Sequence, residues 1–205
     1  MGSNTLIGKF YTLAEWILKA MYLHLLWIIF TLAGGIVLGV MPSSTAVFSI
    51  IRKWLQGETD LKTLPFFLSV YKSSWKTTNL AGLIFLCLST VLLVDLQLNE
   101  LTIKSALIHL PLLLFGLLLS STMILFFPVY VHYDLKIFQH IKQAFILSLA
   151  QPLCVMAILL WIVTAYILSL YIPIIFLFMG ISVVTLPIMW FSLHSFNKLE
   201  AKSMN

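Results

Sequence analysis

Four long stretches of this chain contain no Asp, Glu, Lys or Arg, and they constrain the fold more than any other feature. They cover residues 20–51, 77–94, 105–133 and 143–197. A helix that crosses a bilayer needs roughly 20 apolar residues. The last stretch corresponds to on the order of 80 Å of helix, which suits two crossings joined by a turn. Because backbone polar groups find no water inside a bilayer, all four stretches are predicted to be helical.

The composition supports the same interpretation. Hydrophobic residues make up 61% of the 205 residues and charged residues only 9%, whereas soluble domains carry about 25% charged residues. Most of the surface must therefore face lipid or another protein. We predict an all-α, polytopic transmembrane helix bundle that forms one integral membrane domain over residues 1–205. Its five spans are predicted at roughly 16–40, 78–96, 105–130, 145–170 and 173–195.

The basic residues predict the orientation, because short cytoplasmic loops are enriched in Lys and Arg. One predicted side holds the basic residues of segment 41–77, of the third loop and of the C-terminal tail: Arg52, Lys53, Lys62, Lys72, Lys76, Lys136, Lys142, Lys198 and Lys202. The other side holds Lys9, Lys19 and Lys104. With five spans, the N-terminus is predicted outside and the C-terminus in the cytoplasm. Lys9 and Lys19 fit this arrangement poorly.

Segment 41–77 is predicted to form two amphipathic helices along the cytoplasmic interface. Apolar and charged residues alternate there at helical spacing, on either side of Gly57. Such helices place the apolar side towards lipid and the cationic side towards anionic headgroups. Simple anchoring and docking of a partner are both open. The candidate interface residues are Arg52, Lys53, Trp54, Phe67, Tyr71, Lys72, Trp75 and Lys76.

Small residues and prolines suggest how the helices pack. Gly35 and Gly39 form a Gly-x-x-x-Gly pair that permits close approach of two helix backbones. Packing inside the chain and packing against another subunit both fit, and Pro42 lies next to this candidate contact site. Pro152 and Pro187 are each expected to bend a span.

The sequence offers no recognisable catalytic chemistry. Paired carboxylates, Ser-His-Asp sets, metal-ligand spacings and phosphate-binding loops are not found. The formal charge of +5 is explained by the basic loops, so a nucleic-acid partner is not expected. His24 and His109 are interpreted as packing residues, and Cys87 and Cys154 as small apolar side chains. We therefore predict no enzyme activity, no metal and no cofactor.

Several motifs resemble the YesL family of bacterial membrane proteins. The first runs from His24-Leu25-Leu26-Trp27 through Gly39-Val40-Met41-Pro42 to Arg52-Lys53-Trp54. The second is Phe67-x-x-x-Tyr71-Lys72 followed by Asn79-x-x-Gly82. The third is Phe127-Pro128-Val129-Tyr130-Val131-His132-Tyr133-Asp134, followed by Lys142-x-Ala144-Phe145 and Pro152-Leu153. His24 departs from the family's Asn-Leu-Leu-Trp pattern.

The resemblance implies a role in the uptake of complex sugars, such as pectin-derived rhamnogalacturonan fragments. It also implies a protein that is encoded beside carbohydrate ABC importers and polysaccharide-degrading enzymes. The expected partners are membrane lipid and the permease subunits, and through these the ATPase and the solute-binding protein. The expected role is an accessory subunit in the bacterial cell membrane that stabilises or modulates the permease. The alternative is an independent small transporter or channel, or a homo-oligomeric membrane protein.

Overall fold

A computed structural model describes residues 6–203, with the side chains of residues 8–101 and 104–199. Over these residues the chain forms seven α-helices and no strand. They are α1 (Leu6–Ala33), α2 (Val37–Leu55), α3 (Thr63–Leu98), α4 (Ala106–His132), α5 (Ile137–Ala150), α6 (Pro152–Tyr171) and α7 (Pro173–Ser203). A short π-helical turn, Asn99–Ile103, joins α3 to α4. The predicted all-α fold class is confirmed.

Five helices are long and apolar enough to cross a membrane, in agreement with the predicted number. Their apolar segments are Gly8–Ala33, Thr63–Leu101, Ala106–His132, Pro152–Tyr171 and Pro173–Leu199. The first span ends at Ala33 rather than at residue 40, because the chain turns at residues 34–36. The second begins fifteen residues before the predicted residue 78, since α3 has no break near Thr78.

Side-chain contacts show that α1 and α7 run in opposite directions. Ser182 donates a hydrogen bond to the carbonyl of Ala20 at 2.9 Å. Further towards the N-terminus of α1, Leu13 lines the same groove as Pro187. The start of α1 and the end of α7 therefore lie at one end of the bundle.

Helix α2 lies inside the bundle, and this corrects the interfacial position predicted for residues 41–55. It contacts α1, α3, α4 and α7, and residues 42–48 are all buried. The predicted apolar stripe exists: Val47, Ile50 and Ile51 are completely buried. Protein covers this stripe, whereas the prediction placed it in lipid. The helix ends at Leu55, and Gly57 two residues later has a φ of +92°, as is common for a glycine that follows a helix C-terminus.

The second predicted interfacial helix is the beginning of α3. Its apolar stripe also packs on protein, since Phe67 is completely buried and Tyr71 is 9% exposed. The polar residues Lys76, Thr77, Thr78 and Asn79 do not interrupt the helix, because the Thr78 and Asn79 side chains bond to carbonyls one turn back. One continuous helix of 36 residues results.

The predicted bend at Pro152 is a complete break. Gln151 leaves helical geometry (φ −130°, ψ 63°), and Pro152 occupies the first turn of α6. Proline suits that position because its missing N–H has no helical partner there. The Gln151 amide donates to the carbonyl of Ser195 at 3.1 Å, which fixes the break against α7. Pro187 lies inside the continuous helix α7.

Candidate functional site

The two glycines of the predicted Gly-x-x-x-Gly pair have different roles. Gly39 packs on α1 so closely that a Cβ there would lie 2.3 Å from the Thr31 carbonyl oxygen, and a Cβ on Gly34 would lie 2.4 Å from the Gly39 Cα. Gly35 has no atom within 4 Å of a built Cβ, but its φ is +72°. Gly35 therefore serves the turn, and the close helix contact is made by Gly34 and Gly39 within one chain.

Pro42 and Gly39 are enclosed by the protein. Both are buried on α2, and next to them Ser44 accepts a hydrogen bond from the Trp27 indole N–H at 3.1 Å. A helix from another subunit cannot reach this surface without displacing α1. The candidate partner contact at Gly35, Gly39 and Pro42 is thus an internal packing site, apart from the exposed turn at Gly35.

An aromatic and cationic cluster joins α1 to the end of α2. The Trp16 and Trp54 rings meet edge to face, with 5.7 Å between centroids. The ammonium of Lys19 lies 5.5 Å from the Trp16 ring centroid and donates to the carbonyl of Thr59 at 3.3 Å. Glu15 pairs with Lys19 at 2.6 Å. These contacts tie the middle of α1 to the α2–α3 loop, and they explain why Lys19 is only partly exposed.

Two predicted interface cations also have partners at this end of the bundle. Arg52 donates from Nη1 to the carbonyl of Val131 at 2.7 Å, in the last turn of α4. Helix C-termini leave such carbonyls without helical partners, and a cation there is favourable. Lys53 pairs with Glu58 at 2.5 Å and lies 5.3 Å from the Phe66 ring centroid. Arg52 therefore links α2 to α4.

The predicted face of α3 divides into packed and exposed residues. Tyr71 donates to the carbonyl of Phe30 at 3.0 Å, near the end of α1. Its ring also contacts the ring of Trp75, with centroids 5.3 Å apart. Lys72 and Lys76 are exposed on the other side of the helix. Of the predicted interface set, these two lysines remain available to lipid headgroups or to a partner.

His24 makes a contact that the sequence did not reveal. The backbone N–H of Ile181 donates to Nδ1 at 3.3 Å, so a neutral ring carries its proton on Nε2. Nε2 lies 3.0 Å from the carbonyl oxygen of Leu177. Because residues 177 and 181 are one turn apart, the ring spans a donor and an acceptor on the same face of α7. An Asn side chain also offers one donor and one acceptor.

A second histidine lies in a pocket of aromatic rings at the start of α5. His140 is 3% exposed, and its ring centroid lies 4.7 Å from that of Tyr130. Burial lowers the pKa of His140, and a backbone hydrogen bond to Leu135 and the charge of Asp134 oppose this effect. The neutral form is therefore favoured in the folded protein. No sequence pattern indicated this site, since His140 occurs singly on an amphipathic helix.

Side chains that could hold a metal are not brought together in the described part of the chain: no group of three His, Cys, Asp or Glu is found there. Cys87 and Cys154 are free thiols on different helices. The grooves against α1 are lined almost entirely by apolar side chains. The described residues thus provide surfaces for packing between helices and for contact with the surroundings of the bundle.

The fold and its five long apolar helices define a multi-pass α-helical membrane protein. More narrowly, the chain belongs to the YesL-like DUF624 family. The family model, described as "Protein of unknown function, DUF624", matches residues 20–96, from α1 into α3. The resemblance inferred from the sequence motifs is thereby confirmed.

Three relatives come from Bacillus subtilis (strain 168). Uncharacterized protein YesV is 32% identical over 201 residues, which cover 97% of each chain. Uncharacterized protein YteU is 31% identical over 87% of this chain and 81% of its own length. Uncharacterized protein YesL is 29% identical over 67% of this chain and 65% of its own. No solved structure matches the fold.

Proposed function

We propose that this protein is a non-enzymatic accessory subunit of a bacterial ABC importer for complex oligosaccharides. It would pack against the permease helices and stabilise or modulate them, and would contact the ATPase and the solute-binding protein only indirectly. The observation that carries this proposal is the extent of apolar helix surface that the chain leaves uncovered on α3 and α6. The resemblance to the YesL family supplies the sugar class, including pectin-derived rhamnogalacturonan fragments.

The surface offered to a permease is the outer side of α3 and α6. Large apolar residues there are more than half exposed: Leu83, Leu86, Val91, Leu93, Leu153, Met156, Leu160 and Tyr166. In a bilayer this surface faces lipid or another helix. Since lipid and protein solvate such side chains almost equally well, association depends on close packing and on the release of lipid. Long, smooth helix faces suit that kind of contact.

An independent transporter or channel is the second candidate, and it needs a polar path across the membrane. Buried hydroxyls exist in the bundle, but many are bonded to their own helix. Thr45, Thr78 and Thr185 each donate to the carbonyl four residues earlier, at 2.9, 3.0 and 2.6 Å. Groups that already have partners are poor ligands for a passing sugar. This favours the accessory role.

The proposed location is the bacterial cell membrane, with the basic end and the C-terminus in the cytoplasm. Short loops rich in Lys and Arg are retained on that side during insertion. A fluorescent protein fused after residue 205 is expected to fluoresce, and alkaline phosphatase fused there is expected to be inactive. Active phosphatase would contradict this orientation.

Site-specific photocrosslinking in native membranes tests the proposed contact. A benzophenone amino acid replaces exposed Leu93 on α3 or exposed Leu160 on α6. The matched controls carry the same group at Phe85 and Ile158, which are 2% exposed on the same two helices. We expect a permease adduct from at least one exposed site and none from the controls. The proposal fails if neither exposed site yields an adduct in a protein that inserts normally.

Liposomes separate the two candidate functions. Purified protein is reconstituted alone, and the uptake of labelled oligosaccharide is compared with that of empty liposomes. The accessory role predicts no uptake above the empty control. Saturable uptake by the protein alone would favour the transporter and contradict the accessory role.

A further inference from the structure

The course of α2 through the bundle bears on how many times the chain crosses the membrane. After the turn at residues 34–36, α2 runs back along α1. Trp27 bonds to Ser44 near the turn, Trp16 meets Trp54 near the end of α2, and the loop that follows reaches Lys19. The chain therefore runs back beside α1 as far as Trp16 and Lys19, towards the end of the bundle at which α1 began.

The length of α2 matches one crossing. Its 19 residues correspond to about 28 Å of helix at 1.5 Å per residue. The hydrocarbon core of a bilayer is roughly 30 Å thick. The part of α1 that lies beside α2, from Trp16 to Ala33, is of similar length. The hairpin of α1 and α2 is therefore long enough to reach the opposite side of the membrane and return.

The composition of α2 explains why the sequence alone does not identify this helix as a membrane span. Its centre contains Pro42, Ser43, Ser44 and Thr45, which reduce its apolar character. All four are buried by protein. Polar residues at membrane depth are tolerated when they face the interior of a bundle. Exposed residues of α2 cluster beside the turn, where Val37 is 74% exposed and apolar.

Helices α3, α4, α6 and α7 alternate in direction with this hairpin. Arg52 at the end of α2 contacts the end of α4, and Gln151 before α6 contacts Ser195 near the end of α7. Asn99, after α3, bonds to Ser105, before α4. The starts of α1, α3 and α6 thus share one end of the bundle with the ends of α2, α4 and α7.

We infer that α2 crosses the membrane as a sixth span enclosed by the other helices, so that both termini lie on the same side. This arrangement accounts for the two basic residues that fitted five spans poorly. Lys9 and Lys19 on α1 lie towards the end that carries Arg52, Lys53 and Lys136, whereas Lys104 lies towards the other end. This charge difference has the sense expected when the basic end is cytoplasmic. The inference does not depend on the proposed importer.

Cysteine labelling from each side of the membrane tests this inference. The background protein carries C87A and C154A, which remove both native thiols. Single cysteines then replace five exposed residues: Lys9, Val37, Asp60, Glu100 and Asn197. A membrane-impermeant maleimide is applied to intact cells and to permeabilised cells. We expect Lys9→Cys, Asp60→Cys and Asn197→Cys to lose labelling in intact cells, and Val37→Cys and Glu100→Cys to keep it.

Two outcomes would overturn the inference. If Lys9→Cys labels together with Glu100→Cys, the termini lie on opposite sides and α2 is not a span. If Val37→Cys labels in detergent but from neither side of the membrane, the hairpin turns back inside the bilayer. Labelling in detergent also shows that each cysteine is reactive in the folded protein.

Discussion

His24 on α1 and Leu177 on α7 are joined by a hydrogen bond of 3.0 Å between Nε2 and the carbonyl oxygen, across 153 residues of chain. The same ring accepts the N–H of Ile181. Two helices far apart in sequence are thus held in register by one side chain. This register also fixes the antiparallel arrangement of α1 and α7 on which the position of the N-terminus depends.

Replacing His24 by Leu should lower the stability of the bundle. The change removes one donor and one acceptor from a contact inside the membrane, at an expected cost of about 1–2 kcal/mol. His24→Asn is the matched variant, because the amide keeps one donor and one acceptor. Thermal midpoints in detergent should fall for His24→Leu and recover largely for His24→Asn. Equal midpoints for the two variants would contradict this role.

The contact between Gly39 and Thr31 should not tolerate a side chain. In Gly39→Ala the new methyl group meets the Thr31 backbone at a built distance of 2.3 Å, which forces α1 and α2 apart at a cost of about 1–3 kcal/mol. Gly180→Ala is the control, since its nearest contact is an ordinary 3.7 Å. Chemical denaturation should separate the variants. A Gly39→Ala protein as stable as Gly180→Ala would show that the helices are less closely packed.

Arg52→Met should destabilise the junction of α2 and α4. It leaves the Val131 carbonyl without its cationic donor, and loss of a hydrogen bond to a charged group costs about 1.5–3 kcal/mol. Lys72→Met removes the same charge from an exposed site on α3 and serves as the control. Protease resistance of the loop between α4 and α5 should fall in Arg52→Met alone. A similar loss in both variants would indicate a general effect of charge.

The stability of the protein should decrease in mild acid because of His140. Burial holds the pKa of His140 below its ordinary value of 6.5, so the unfolded chain binds the proton more readily than the folded chain. The contribution is present above pH 6.5 and declines as the pH falls towards the lowered pKa. Midpoints measured between pH 7.5 and 5.5 should fall less in His140→Phe than in the parent. A decrease in His140→Phe as large as that in the parent would contradict this role.

The charge-free stretches predicted the fold class of the protein and its five apolar spans, because lipid imposes a length and a composition on any helix that it surrounds. That rule does not apply to α2, which protein surrounds at Pro42, Ser43 and Ser44. The same limit explains why segment 41–77 was placed at the interface. Its amphipathic pattern was recognised, but that pattern is the same whether lipid or protein covers the apolar side. The surface that covers α2 depends on α7, more than 100 residues further along the chain, as well as on nearby helices.

At several particular residues the sequence also did not predict the local backbone geometry. The Gly35-x-x-x-Gly39 spacing suggested one helix, but the positive φ of Gly35 and Ile36 places a turn between the two glycines. Pro152 led us to predict a bend within one helix, but the helix is interrupted completely there, and the Gln151 side chain bonds to α7. His24 looked like an ordinary packing residue, since its two backbone partners lie on the last helix.

Recovery of partners from the native membrane tests the proposed accessory role most directly. The protein is extracted in mild detergent with an affinity tag after residue 205, and the co-purified proteins are quantified by mass spectrometry. The account predicts permease subunits of a sugar importer in a fixed ratio to this chain. Recovery of the chain alone, from membranes in which the importer itself stays assembled in the same detergent, would contradict it.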